Sequence, residues 1–150
     1  MSINKPVPQL KPRILLVEDD VERINIVRQW LGNQYVLIEA SSGGRAMGIL
    51  RKNMTEGIAG VMLDHDLEKQ VLTDDDMSIS GTDLINAITT SIRRQVPILI
   101  HSMNLSKSPA MVKRLTNHGY SVTRIKMEDL TKENFREWLE DVSDQWEDRV

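Results

Sequence analysis

Ile14-Leu15-Leu16-Val17-Glu18-Asp19-Asp20 begins with four consecutive apolar residues, follows shortly after Pro12, and stops abruptly at three acids. A strand that alternates apolar and polar residues keeps one face in water. A run that is apolar at every position must be covered on both faces, which is the condition of a central strand in a parallel sheet. Immediately downstream, Val21, Ile24, Val27 and Leu31 share one helical stripe that ends at Gly32, a residue suited to the position just past a helix C-terminus. Upstream, residues 1–11 contain Pro6 and Pro8 among scattered polar residues and are expected to form a flexible arm, leaving 12–150 as a single domain.

The strand-then-helix pattern recurs along the chain. Tyr35 to Ile38 is expected as a second strand, and Ser41 or Ser42 as the cap of a helix carrying Ala46, Ile49 and Leu50. Ile58 to Leu63 forms another fully apolar run and leads directly into Asp64-His65-Asp66. After a polar stretch containing Asp74, Asp75 and Asp76, helical spacing returns at Leu84, Ile85, Ile88 and Ile92. Pro97 opens the strand Ile98-Leu99-Ile100, a place where proline is tolerated because it precedes the ladder. Ser108-Pro109 reads as a cap and first turn of a helix that runs to Gly119, Tyr120 to Ile125 as a fifth strand, and Thr131 as the start of a helix burying Phe135, Trp138, Leu139, Val142 and Trp146. Five strand–helix units in succession predict an α/β fold, with a five-stranded parallel sheet between two helical layers joined by right-handed crossovers.

Composition narrows the function classes. The chain has 150 residues, enough for one domain that buries roughly 70% of its unfolded surface. With no cysteine there is no disulfide, thiolate nucleophile or cysteine metal site. A net charge of −3 and only six aromatic residues argue against a nucleic-acid surface. No apolar run is long enough for a membrane span, and the N-terminal stretch has no signal-peptide core, so a cytoplasmic location is expected.

In open parallel sheets, ligands bind beyond the C-terminal ends of the strands at the point where strand order reverses. The residues there are Glu18, Asp19 and Asp20 after the first strand, and Asp64, His65 and Asp66 after the third. The fourth strand leads to His101, Ser102, Met103 and Asn104, and Lys126 lies near the end of the fifth. Carboxylates gathered in one pocket raise one another's pKa unless a cation neutralises them, and an all-oxygen set suits Mg²⁺ or Mn²⁺. A carboxylate beside such an ion is chemically suited to accept a phosphoryl group, with a lysine and a hydroxyl contacting the transferred oxygens. Each residue also has a plainer reading: helix capping for Glu18 and Asp19, a solvated loop for Asp64 and His65, a buried structural histidine for His101, and a turn for Ser102. Lys107, Lys113 and Arg124 are alternatives to Lys126.

Taken together, Ile14 to Asp20, Val61-Met62-Leu63-Asp64 and Pro97-Ile98-Leu99-Ile100-His101-Ser102 resemble the receiver domain of two-component response regulators over about residues 12 to 146. The resemblance implies a doubly wound flavodoxin-like sandwich. It makes Asp64 the phosphoacceptor, with Glu18, Asp19, Asp64 and the backbone carbonyl of Asp66 around the metal. Ser102 becomes the switch hydroxyl and Lys126 the strand-five lysine. The implied partners are a sensor histidine kinase or phosphotransfer protein and a downstream protein, with a homodimer also open. Two positions depart from the family pattern: Met127 stands where receivers have proline, and Thr123 stands where they have an aromatic switch residue.

Two other functions remain open from the sequence. Leu63-Asp64-His65-Asp66-Leu67 with His101-Ser102-Met103-Asn104 also resembles a receiver-related group that processes cyclic phosphates, in which His65 and His101 act as acid and base. Strand alternation places His101 and Ser102 on opposite faces, so both cannot face the pocket from a regular strand. The other possibility is a degenerate receiver that serves only as a protein-binding module.

Overall fold

The computed structural model describes residues 11–52, 57–64, 81–102 and 108–148, without the side chains at 81, 82, 102 and 108–110. The arm expected at 1–11 lies outside the described residues except for Lys11. So do His65, Asp66, Met103, Asn104, Lys107 and the acidic run at 74–76.

Among the described residues, five strands alternate with five helices in chain order. They are β1 (Arg13–Val17), α1 (Val21–Leu31), β2 (Val36–Ala40), α2 (Gly43–Arg51), β3 (Ile58–Asp64), α3 (Gly81–Ser91), β4 (Ile98–Ser102), α4 (Ser108–Asn117), β5 (Val122–Lys126) and α5 (Lys132–Asp148). A 3₁₀ turn, Met127–Asp129, joins β5 to α5. Local chemistry accounts for the boundaries. Asp20 caps α1, its carboxylate accepting the Arg23 N–H at 3.2 Å, and Ser42 caps α2 by accepting the Arg45 N–H at 3.1 Å. Gly32 ends α1 at φ 70°, a conformation that costs glycine least.

All strand pairs are parallel, and the sheet order is β2-β1-β3-β4-β5. Such a sheet needs helices on both faces, and the core accordingly divides in two. Leu15, Val17, Val61, Leu63, Ile98 and Ile100 pack beneath α2, α3 and α4. Ile14, Leu16, Met62 and Leu99 pack beneath α1 and α5, which contribute Ile24, Val27, Phe135, Trp138 and Val142. Odd and even positions of β1 therefore separate onto opposite faces, as the pleat requires. The register between β1 and β3 shifts by one residue, from Arg13 opposite Ile58 to Ile14 opposite Gly60. The shift brings Gly60 beneath Trp138, where a Cβ would lie 2.9 Å from Cη2 of the indole.

Most elements fall where the periodicity predicts, with three differences. The second strand is Val36–Ala40 rather than Tyr35 to Ile38, because its register continues the ladder to Ala40 beside Val17. The fourth helix includes Ser108 itself. Tyr120 precedes β5, and its hydroxyl donates toward the carbonyl oxygens of Ile88 (3.1 Å) and Ile92 (2.5 Å) at the end of α3. A tyrosine used to close a helix on another layer leaves no periodic trace in the sequence.

Candidate functional site

The strand order reverses direction between β1 and β3, so a crevice opens beyond their C-terminal ends. The register places Val17 beside Leu63, and the next row contains Glu18, Asp64 and His101, the last two being paired directly. These three side chains share the sheet face that carries Leu16, Met62 and Leu99. They are also buried, at 1%, 4% and 1% exposure. A buried row of two acids and an imidazole in an otherwise apolar core requires partners, and the structure supplies them for both acids.

Glu18 is the most heavily bonded. One carboxylate oxygen accepts the backbone N–H groups of Asp19 at 2.9 Å and Asp20 at 3.2 Å. The other lies 3.4 Å from Nη1 of Arg23 and 3.3 Å from Nε2 of His101. Burial on its own pushes the Glu18 carboxyl upward. Hydrogen bonds from His101 and with Asp64, the charge of the imidazole and the Asp20 N–H outweigh it and hold the pKa at about 2, below the usual 4.5. Glu18 is thus an anion at any physiological pH.

Asp19 is half-buried and Asp64 buried, and each offers a carboxylate oxygen to a cluster with Glu18 in which the three ligand atoms lie within 4.8 Å of one another. The donor set is all oxygen, which suits a hard divalent cation. Asp20, the third acid after β1, is used otherwise, as the α1 cap. The expected grouping of Glu18, Asp19 and Asp64 is therefore present, while the carbonyl of Asp66 lies outside the described residues.

Ser102 ends β4 and stands in register with Lys126 at the end of β5. The Lys126 ammonium is paired with Glu128 on the 3₁₀ turn, and this hydrogen bond and charge raise its pKa. His101, for which alternation left two orientations, faces Glu18, and its Nδ1 is buried without a hydrogen-bond partner among the described residues.

One site residue was missed in the sequence. Arg23, in the first turn of α1, reaches back so that Nη1 lies 3.4 Å from Glu18 and 3.9 Å from Asp64. Glu18 and Asp64 raise its pKa against the opposing effect of burial. The available signal was its position, because a cation at a helix N-terminus opposes the helix dipole and calls for nearby acids.

No protein-family model matches the chain, and no curated protein is similar to it. Solved structures are similar in fold. The CheY-like response regulator receiver domain from Methanospirillum hungatei JF-1 superposes with a TM-score of 0.65 at 20% identity, covering 91% of this chain and 98% of that one. The signal receiver domain of an HD domain-containing protein from Pseudomonas fluorescens Pf-5 gives 0.68 at 16% identity, covering 98% of each chain. A receiver domain from Clostridium thermocellum gives 0.67 at 15% identity, covering 93% of this chain and 99% of that one. The chain has the fold of CheY-like receiver domains, the flavodoxin-like doubly wound sandwich expected from its sequence. No helix among the described residues is long and apolar enough to cross a membrane.

Proposed function

We propose that this protein is a phosphorelay receiver that binds Mg²⁺ or Mn²⁺ at its acid cluster and accepts a phosphoryl group on Asp64. The observation that carries this reading is the convergence of Glu18, Asp19 and Asp64, ligand atoms within 4.8 Å, at the switch point of a receiver fold. Glu18 or Asp19, together with Asp64 and the Asp66 carbonyl, would hold the ion. When bound, the ion supplies positive charge against the oxygens of the incoming phosphoryl group.

A carboxylate oxygen of Asp64 bonds to phosphorus as the P–N bond of a phosphohistidine breaks. The donor imidazole leaves with the electron pair and takes up a proton. The donor is a sensor histidine kinase or a phosphotransfer protein, and the output is contact with a downstream protein in the cytoplasm. Ser102 and Lys126, adjacent at the ends of β4 and β5, are assigned to the phosphoryl oxygens, a role that for Ser102 requires a departure from the regular pleat beyond His101. In that role Lys126 exchanges its Glu128 partner for the phosphoryl group.

The diesterase reading fits less well. A general acid or base must touch substrate, whereas His101 is 1% exposed and its Nε2 is directed at Glu18. The test of the receiver reading is incubation with acetyl phosphate and Mg²⁺ followed by intact-mass measurement. One added phosphoryl group, absent without Mg²⁺ and absent in Asp64→Asn, is expected. No adduct, or an adduct that persists in Asp64→Asn, overturns the assignment. Metal titration separates the receiver from a binding-only module, which would show no Asp64-dependent affinity.

A further inference from the structure

A carboxylate has about four lone-pair directions, two on each oxygen. At Glu18 all four face a donor: the N–H groups of Asp19 and Asp20 on one oxygen, Arg23 and His101 on the other. Any divalent ion that bonds directly to Glu18 must displace one of them. The two backbone donors are fixed by the turn from β1 into α1. The His101 side chain is 2% exposed and stands within the sheet row. Arg23 alone of the four is a long side chain with a route to solvent, at 24% exposure.

The same guanidinium spans the cluster. Its Nη1 lies 3.4 Å from Glu18 and 3.9 Å from Asp64, so one nitrogen sits between two of the three candidate ligands. The Arg23 backbone N–H is held by Asp20 and its Nε lies 4.0 Å from the same carboxylate, so the base of the side chain stays anchored while its tip can move. We propose that Arg23 is a built-in counter-ion of the acid cluster, which competes with the divalent cation for the Glu18–Asp64 edge and leaves when the cation enters. The inference rests on the metal-binding reading above and deepens it. In the metal-free protein the guanidinium offsets part of the cluster's negative charge, and so raises the metal concentration needed to load the site. The coupling is reciprocal, because whatever draws the guanidinium away tightens the metal by the same factor.

The test is isothermal titration of the metal-free, full-length protein with Mn²⁺, comparing wild type with Arg23→Gln, Arg23→Lys and Arg28→Gln. Arg28→Gln removes the same charge from α1 but at the exposed pair with Glu39, so it controls for long-range attraction. Arg23→Gln is expected to lower Kd roughly tenfold, and Arg28→Gln to change it less than about twofold. Arg23→Lys keeps the charge, tests the effect without emptying the position, and is expected to stay within about threefold of wild type. Thermal melts give a second reading. Metal-free Arg23→Gln should melt below wild type, and saturating Mn²⁺ should raise its Tm by more than it raises that of wild type.

Asp64-dependent binding by wild type with an equal or weaker affinity in Arg23→Gln would overturn the arginine's role while leaving the metal site intact. A fall in Kd as large in Arg28→Gln would also overturn it. Failure of both wild type and Arg23→Gln to bind Mn²⁺ would remove the metal reading and this inference together.

Discussion

Lowering the pH should unlock the buried row at one identifiable residue. Burial pushes the Glu18 carboxyl up from its ordinary 4.5, but hydrogen bonds with His101, Asp64 and the Asp20 N–H, together with the charge of the imidazole, hold it at about 2 in the fold. Because the folded value lies below the unfolded one, its contribution to stability is complete above pH 4.5 and is lost as pH falls from there toward 2. At roughly 1.4 kcal/mol per unit the whole contribution is about 3 kcal/mol, of which about 2 kcal/mol is already gone near pH 3. Urea denaturation of wild type and Glu18→Gln in metal-free buffer, from about pH 6 to about pH 3, isolates the effect. The variant starts less stable, since an amide cannot replace an acceptor of four donors, and the gap between the two proteins should narrow by about 2 kcal/mol across that range. Parallel curves would mean that Glu18 is not the anion described here, and the electrostatic account of the site would fail with it.

Two further outcomes follow from packing. Gly60→Ala puts a methyl group 2.9 Å from Trp138, 3.0 Å from Ile14 and 3.1 Å from Val142, all buried. A loss of about 1–3 kcal/mol is expected, seen as a lower Tm and partly relieved by adding Trp138→Phe; an unchanged Tm would refute the close approach. Tyr120→Phe removes the hydroxyl that bonds Ile88 and Ile92 and accepts from Arg94 at 2.6 Å, so about 1 kcal/mol is expected in denaturation, with faster amide exchange at the end of α3.

The strand–helix alternation was legible because each element carries its own burial pattern. Ile14 to Val17 and Ile58 to Leu63 are apolar throughout, and the structure buries every one of those residues. The turn at Met127–Asp129 and the bonding of Tyr120 were not legible, since neither follows from a repeat. The site was legible in part. The switch-point rule selected Glu18, Asp19 and Asp64 correctly as neighbours, but it could not divide labour among three consecutive acids. Asp20 proves to be the cap, Asp19 a cluster member, and Glu18 the buried anchor.

Covalent order and apolar spacing were enough to determine the element sequence, the parallel sheet and the end of it where the acids gather, because those depend on which surfaces each segment must hide from water. Only the folded chain decided that Arg23 stands against Glu18 and Asp64, that His101 shares their row, and that Lys126 is paired with Glu128. Such contacts are set by ångström-scale distances between side chains brought together by strand register and helix packing. Spacing along the chain does not encode those distances.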